Sequence, residues 1–158
     1  MYSTEQELID SGRFAGKTES WLETRKWIHE NPMSALDVLS GLAKDNPKFL
    51  ELIYDFNLWC RPEQFMDWQN YDKMMYLCGR GFGKSRLASS YIVQEAQRKK
   101  QRIALWASDL KSAKRNNWLG SSGIIESIHP DVLKQCNFNK TDLTMTFPNG
   151  STIVTYTA

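Results

Sequence analysis

Residues Met74 to Arg86 read Met-Met-Tyr-Leu-Cys-Gly-Arg-Gly-Phe-Gly-Lys-Ser-Arg, and no other stretch restricts the fold of this chain so tightly. The apolar run Met74 to Cys78 predicts a β-strand. It passes into a loop carrying Gly79, Gly81 and Gly83, then Lys84-Ser85, then a helical pattern with Leu87, Ala88, Tyr91, Ile92 and Ala96 on one side. Glycines let successive backbone N–H groups turn inward on an anion with no Cβ in the way. The helix N-terminus behind them adds the positive end of its dipole. Strand, glycine loop, Lys-Ser and helix in this order predict a site for a nucleoside triphosphate. Lys84 would reach the β- and γ-phosphates and the Ser85 hydroxyl would sit on Mg²⁺. The usual spacing begins with glycine where this chain has Cys78, with Gly79 next to it available for the turn. The alternative is a glycine-rich turn that contains Gly-Lys-Ser by accident. Arg80 lies inside the loop, four positions before Lys84. A guanidinium there could swing over the γ-phosphate and offset charge developing in phosphoryl transfer, a role worth ~10³ or more in rate; otherwise it faces solvent or pairs with an acid.

The chain of 158 residues is long enough for one domain with a real core. A net charge of +2 permits contact with nucleic acid without arguing for it. Cys60, Cys78 and Cys136 are widely spaced and odd in number, which points to neither a disulfide framework nor a metal site. Cys78 reads as a small buried apolar residue. A reducing cytoplasm fits. No apolar run approaches the ~18 residues of a membrane span, and the polar N-terminus is no signal peptide.

Residues 1 to about 18 read as a loose or partly helical arm. Three helical patterns follow: Glu19 to His29, Ser34 to Ala43 with Ser34 as candidate cap, and a third started by Asn46-Pro47 and carrying Phe49 to Phe56. Together, residues 1–56 predict a small helical subdomain whose aromatics form its core. Residues 57–73 are a link, turned or extended near Pro62. Gln64 lies about ten residues ahead of the first strand. Its amide offers one donor and one acceptor, which suits an adenine edge, although on the residue alone a solvated glutamine is the better reading.

After the loop helix, Ser85 to Arg98, the basic stretch Gln97 to Arg102 fits a solvated helix end with cations well placed against the dipole. Arg102 to Ala107 predicts the next strand, parallel to Met74 to Cys78 through a right-handed crossover. Ser108-Asp109 would cap a helix through about Trp118, broken by Gly120-Ser-Ser-Gly123. A short helix over Ile124 to Ile128 follows. Leu143 to Phe147 and Thr152 to Tyr156 alternate as strands around the hairpin signal Pro148-Asn149-Gly150-Ser151.

An ATPase of this architecture also needs a strand ending in an acid that holds Mg²⁺, often with a glutamate that orients water. No run of four apolar residues followed by Asp-Glu or Asp-Asp occurs after the loop. Asp109 has the look of a helix cap, and Asp131 follows a proline turn. The expectation is half an active site: a phosphate cradle without the water-activating part, in the front portion of a longer protein.

These residues resemble a known family. Trp59-Cys-Arg-Pro-Glu-Gln64, followed by Met75 to Arg86, is similar to the large terminase subunit of tailed bacteriophages. Arg102-Ile-Ala-Leu105, Gly120 to Ser127, and Leu143 to Thr157 with Phe147-Pro-Asn-Gly150 resemble later stretches of the same family in the same order. The likeness covers about residues 57 to 158; residues 1–56 add little. It implies an α/β fold of the P-loop NTPase (ASCE) class, a parallel sheet core that is incomplete here, with the ATPase portion spanning 57–158. The family's large subunit drives DNA into a preformed capsid with ATP and cuts the genome with a second, nuclease domain. The resemblance therefore implies ATP and Mg²⁺ as cofactors. It implies double-stranded phage DNA, a small terminase subunit and a portal ring as partners, assembly as a homo-oligomer on the portal, and work in the bacterial host cytoplasm away from any membrane. By position, Lys84 and Ser85 match the phosphate and Mg²⁺ residues, Arg80 the loop arginine and Gln64 the adenine contact. The nucleotide-binding set is thus Gln64 with Gly79, Arg80, Gly81, Phe82, Gly83, Lys84, Ser85 and Arg86. Cys78 departs from the usual small residue. The acidic, coupling and nuclease parts would lie beyond Ala158, so turnover by this chain alone is not expected. The alternatives are an ATP-binding remnant or regulator, or another P-loop nucleic-acid ATPase.

Overall fold

A computed structural model describes residues 4–12, 14, 16–65 and 73–157. The chain divides into two compact units, Met1–Tyr76 and Leu77–Ala158. The first is helical and the second is mixed α/β. Residues 57–65, expected to belong with the later residues, fall in the first unit.

Helices of the first unit start where short polar side chains cap them. Helix α1, Glu5–Asp10, opens on a capping box in which Thr4 Oγ1 accepts the Glu7 N–H. Helix α2, Glu19–Glu30, opens on Thr18, whose Oγ1 accepts the Trp21 N–H at 3.2 Å. Helix α3, Ala35–Asp45, begins after Ser34, but the Ser34 side chain makes no capping bond. The helix expected from Asn46 through Phe56 is split into α4, Lys48–Tyr54, and α5, Phe56–Trp59. The break is Asp55, which leaves the helical region (φ −78°, ψ 93°) and caps the Asn57 N–H at 3.0 Å. A short carboxylate that can bond its own backbone competes with helix continuation. The same carboxylate accepts the Trp21 indole N–H at 3.0 Å.

Ile28, Ala35, Leu39 and Leu58 form the core of this unit, with Trp21, Trp27 and Phe49 packed against them. The aromatics are therefore core, as their spacing predicts. Arg25 is fully buried; its guanidinium donates to the Asn57 and Cys60 carbonyls at the end of α5 and lies over the Phe14 ring at 5.1 Å. A cation at a helix C-terminus satisfies carbonyls that have no intrahelical partner.

In the second unit, α6 (Lys84–Arg98) is followed by strands β1 (Arg102–Ala107), β2 (Asn137–Asn139), β3 (Thr144–Thr146) and β4 (Thr152–Thr157). The sheet order is β1-β4-β3-β2, with β1 and β4 parallel and the other two pairs antiparallel. Two expectations are corrected here. Residues Met74 to Cys78 are not a strand, and Met75 and Leu77 are 80% and 88% exposed. The parallel partner of β1 is β4, fifty residues later, with Arg102 opposite Thr152. A strand exists only through its ladder, and among the described residues 74–78 has none. The sheet is accordingly mixed rather than purely parallel.

The hairpin turn between β3 and β4 forms as its Asn-Gly signal predicts, with Gly150 at φ 82°. It also does something the sequence does not announce. The Asn149 side-chain amide donates to Ala96 O at 2.8 Å, and the Ser151 hydroxyl donates to Lys99 O at 3.0 Å. The turn thereby closes the C-terminus of α6, which has no glycine of its own there. Arg98 in the basic stretch pairs with Glu95 one turn back at 2.8 Å.

The segment after β1 starts as predicted, with Asp109 accepting the Ser112 N–H at 2.7 Å and opening α7, Leu110–Ser112. It then widens into a π-helical turn, Ala113–Trp118, in place of the expected α-helix. Gly120 and Gly123 follow, then a 3-10 turn over Ile125–Ser127 and a short helix, α8, over Pro130–Leu133. Trp118, Ile124, Ile128, Met145 and Ile153 are buried together with Val93 and Ala96 of α6.

Candidate functional site

The loop Gly79 to Gly83 is built from two left-handed residues. Gly81 has φ 83° and Gly83 has φ 88°, a backbone region that side-chain-bearing residues enter only at a cost. Gly83 occupies the N-cap position of α6 and supplies no side-chain cap. The first N–H groups of α6 are therefore left to a ligand or to water.

Lys84 folds back over the loop. Its ammonium donates to Cys78 O at 3.1 Å and to Gly79 O at 2.7 Å. An ammonium carries three protons, so these two bonds hold the loop closed and leave one donor for an incoming anion. Ser85 is the next residue, exposed on the first turn of α6. Arg86 ties that turn to the segment opposite through a bond from its guanidinium to Glu126 O at 3.2 Å. Phe82 is half-buried, and Arg80 is exposed at the loop tip.

A cleft of about 280 Å³ opens beside this helix start. Lys84, Ser85 and Ser89 form its α6 wall, and Leu105, Asn117 and Ile124 face them from β1 and the segment after it. A lysine, two serines and an asparagine stand around a largely apolar surface that includes Ala88 and Ile92, and these polar groups could hold a small anion. Left-handed glycines, an uncapped helix start and a lysine with a donor to spare fit the phosphate end of a nucleotide. Mg²⁺ bound with a nucleotide takes few protein ligands besides phosphate and water, and the Ser85 hydroxyl is the group on offer. Among the described residues no cluster of His, Cys, Asp and Glu could hold a metal by itself.

The structure brings Lys84 and Ser85 to one cleft, with the glycines beside them. Gln64 belongs to the first unit, where its side-chain carbonyl accepts the Arg61 N–H at 3.0 Å and closes the 3-10 turn Pro62–Gln64. The two acids weighed from sequence are both engaged locally, Asp109 as the cap of α7 and Asp131 in an ion pair with Lys134. The Ser112 N–H, with Ser108 beside it, holds the Asp109 carboxyl below its ordinary value. The Lys134 ammonium, at 2.8 Å, does the same for Asp131. Sequence reasoning missed Asn117. A regular α-helix gave no reason to aim that residue at the loop, whereas the wider π turn changes the phase of the residues that follow it.

Comparisons with protein families, with curated proteins and with solved structures give no match for this chain.

Proposed function

We propose that this chain is the nucleotide-binding part of a DNA-packaging motor of the large-terminase kind, an α/β P-loop NTPase that holds ATP with Mg²⁺ on the Gly79 to Ser85 loop. The observation that carries the proposal is the preformed cradle: two left-handed glycines, the uncapped start of α6, and Lys84 bonded across the loop with one proton unspent. The ordered resemblance of residues 59–64, 75–86, 102–105, 120–127 and 143–157 to that family supports the motor assignment. In such a motor ATP supplies the energy of translocation. Within this chain, the loop N–H groups and Lys84 would bind the phosphates, Ser85 would orient the cation, and Arg80 would be free to approach the terminal phosphate from the loop tip. Gln64 is assigned to the adenine by resemblance alone.

The Asp109 carboxylate caps α7 and the Asp131 carboxylate pairs with Lys134, so the proposal gives the loop residues binding rather than hydrolysis. In this picture the remaining partners, double-stranded DNA, a small terminase subunit and a portal ring carrying several copies of the chain in the host cytoplasm, act on the assembled motor. A second reading, an ATP-binding regulator without turnover, shares the same cradle and the same engaged acids.

Calorimetric titration of the full chain with ATP-Mg²⁺ tests the site. Wild type is expected to bind, and Lys84→Ala to lose at least about tenfold in affinity, because a charge-assisted contact to phosphate is among the stronger hydrogen bonds. Equal affinity in the two proteins would falsify the assignment.

A further inference from the structure

The opposite wall of the cleft carries a group with no evident work in the fold. The Asn117 side-chain amide makes no hydrogen bond within the protein among the described residues, yet its place is held firmly. Its own carbonyl accepts the Ile124 N–H at 2.8 Å. Its neighbour Trp118 is fully buried, stacks on Phe138 at 4.7 Å and donates its indole N–H to Thr155 Oγ1 of β4 at 2.8 Å. The chain cannot relax around it either. A Cβ on Gly123 would lie 2.6 Å from Trp118 O, and one on Gly120 would lie 2.8 Å from Arg115 O. Asn117 thus stands on a rigid π-helical turn, a rare element that recurs at functional sites. It lines the same cleft as Lys84, Ser85 and Ser89.

We infer that Asn117 is a positioning residue for the terminal phosphate of a nucleoside triphosphate seated on the loop, and that it makes the site favour triphosphate over diphosphate. This rests on the nucleotide assignment above. The chemistry follows from the residue type. A carboxamide NH₂ offers two donors, and a donor fixed in advance costs little ordering when its acceptor arrives. The cleft, at about 280 Å³, is smaller than pockets that enclose whole drug-sized ligands. It suits a phosphate group and its water, with the nucleoside outside. Lys84 and Ser85 approach such a group from α6, and Asn117 approaches it from the other side. A diphosphate would leave the carboxamide without its acceptor.

The test is calorimetry of the full chain with ATP-Mg²⁺ and ADP-Mg²⁺ on wild type, Asn117→Ala, Asn117→Asp and Lys84→Ala. Wild type is expected to prefer ATP. Asn117→Ala should lose about ten- to a hundredfold in ATP affinity, the worth of one hydrogen bond to a charged group, with ADP affinity unchanged. Asn117→Asp should lose more, because a carboxylate would face phosphate. Lys84→Ala should lose both ligands. If both Asn117 variants keep the wild-type ratio while Lys84→Ala abolishes binding, the inference fails and the nucleotide site stands. If wild type binds neither nucleotide, both fail. Loss of ATP and ADP together with a change in the near-ultraviolet dichroism of the chain would show that Asn117 only shapes the turn, and would also overturn the inference.

Discussion

At the scale of single residues, α6 has a charge problem at each end and solves it with one side chain at each. Lys84 lends two of its protons to Cys78 O and Gly79 O, so the loop is shaped before any phosphate arrives. An arginine at that position would keep the charge, but its planar fork does not replace a compact ammonium bridging two carbonyls. At the far end, Glu95 is buried on α6 and accepts two bonds from Arg98, at 2.8 and 3.0 Å, and another from Gln101 at 3.2 Å. Burial pushes its carboxyl up, but the Arg98 and Gln101 bonds and the nearby cations together outweigh burial and hold it below its ordinary 4.5. The native state therefore favours the carboxylate. Its contribution to stability is complete above the unfolded value and fades as pH falls through the depressed folded value. Glu95→Gln is expected to cost about 1 kcal/mol at neutral pH, a modest figure because Arg98 is half in solvent. The gap from wild type should close progressively in acid. Urea unfolding across a pH series checks this; a gap that stays constant into acid would mean that the carboxylate is not the group responsible.

At the scale of elements, the contrast between two glycines separates what the loop needs from what the cleft wall needs. A Cβ on Gly79 would meet nothing within 4 Å, whereas one on Gly123 would press on Trp118 O at 2.6 Å, Trp118 C at 2.8 Å and Gly120 O at 2.9 Å. Those neighbours are all backbone and cannot swing aside. Gly123→Ala is expected to destabilise the second unit by about 2 kcal/mol or more and to disturb the Trp118 signal, while Gly79→Ala stays within about 0.5 kcal/mol of wild type. Chemical denaturation of the two variants side by side decides it, and equal stabilities would mean that the turn at 120–123 is not tightly packed. The same elements show what can be read from a sequence and what cannot. Helix α6, strand β1, the Pro148 to Ser151 hairpin and the Asp109 cap rest on contiguous local signals, and they form where expected. Met74 to Cys78 carries an equally apolar pattern and is not a strand, because pairing depends on a partner that local pattern does not supply. Strand β2, Asn-Phe-Asn, has little strand propensity of its own and exists through its ladder to β3. The break at Asp55 and the π turn at Ala113–Trp118 came from side-chain competition and packing. For that reason Lys84, Ser85 and the glycines were legible as a site and Asn117 was not.

At the scale of the whole molecule, the chain keeps two separate cores. Ile28, 2% exposed, packs with Ala35, Leu39 and Leu58, and none of these belongs to the cluster around Trp118, Met145 and Ile153. Separate cores predict separate opening reactions, since the energy of local unfolding follows the apolar contacts that each region breaks. Ile28→Ala removes most of a buried side chain and should cost about 3 kcal/mol in its own unit. In native-state hydrogen exchange, protection of α2 and α3 is expected to fall by about a hundredfold, while β1, β4 and the centre of α6 keep theirs. Nucleotide should act the other way round. With its phosphates held by the native second unit, ATP-Mg²⁺ well above its dissociation constant would add protection chiefly to α6 and β1 by mass action, and far less to α2 and α3, whose unit would meet it through Gln64 alone. If Ile28→Ala lowers protection in both units alike, or if ATP-Mg²⁺ raises it in both alike, the chain opens as one cooperative body, and the site draws its stability from the helical unit as well as from its own sheet.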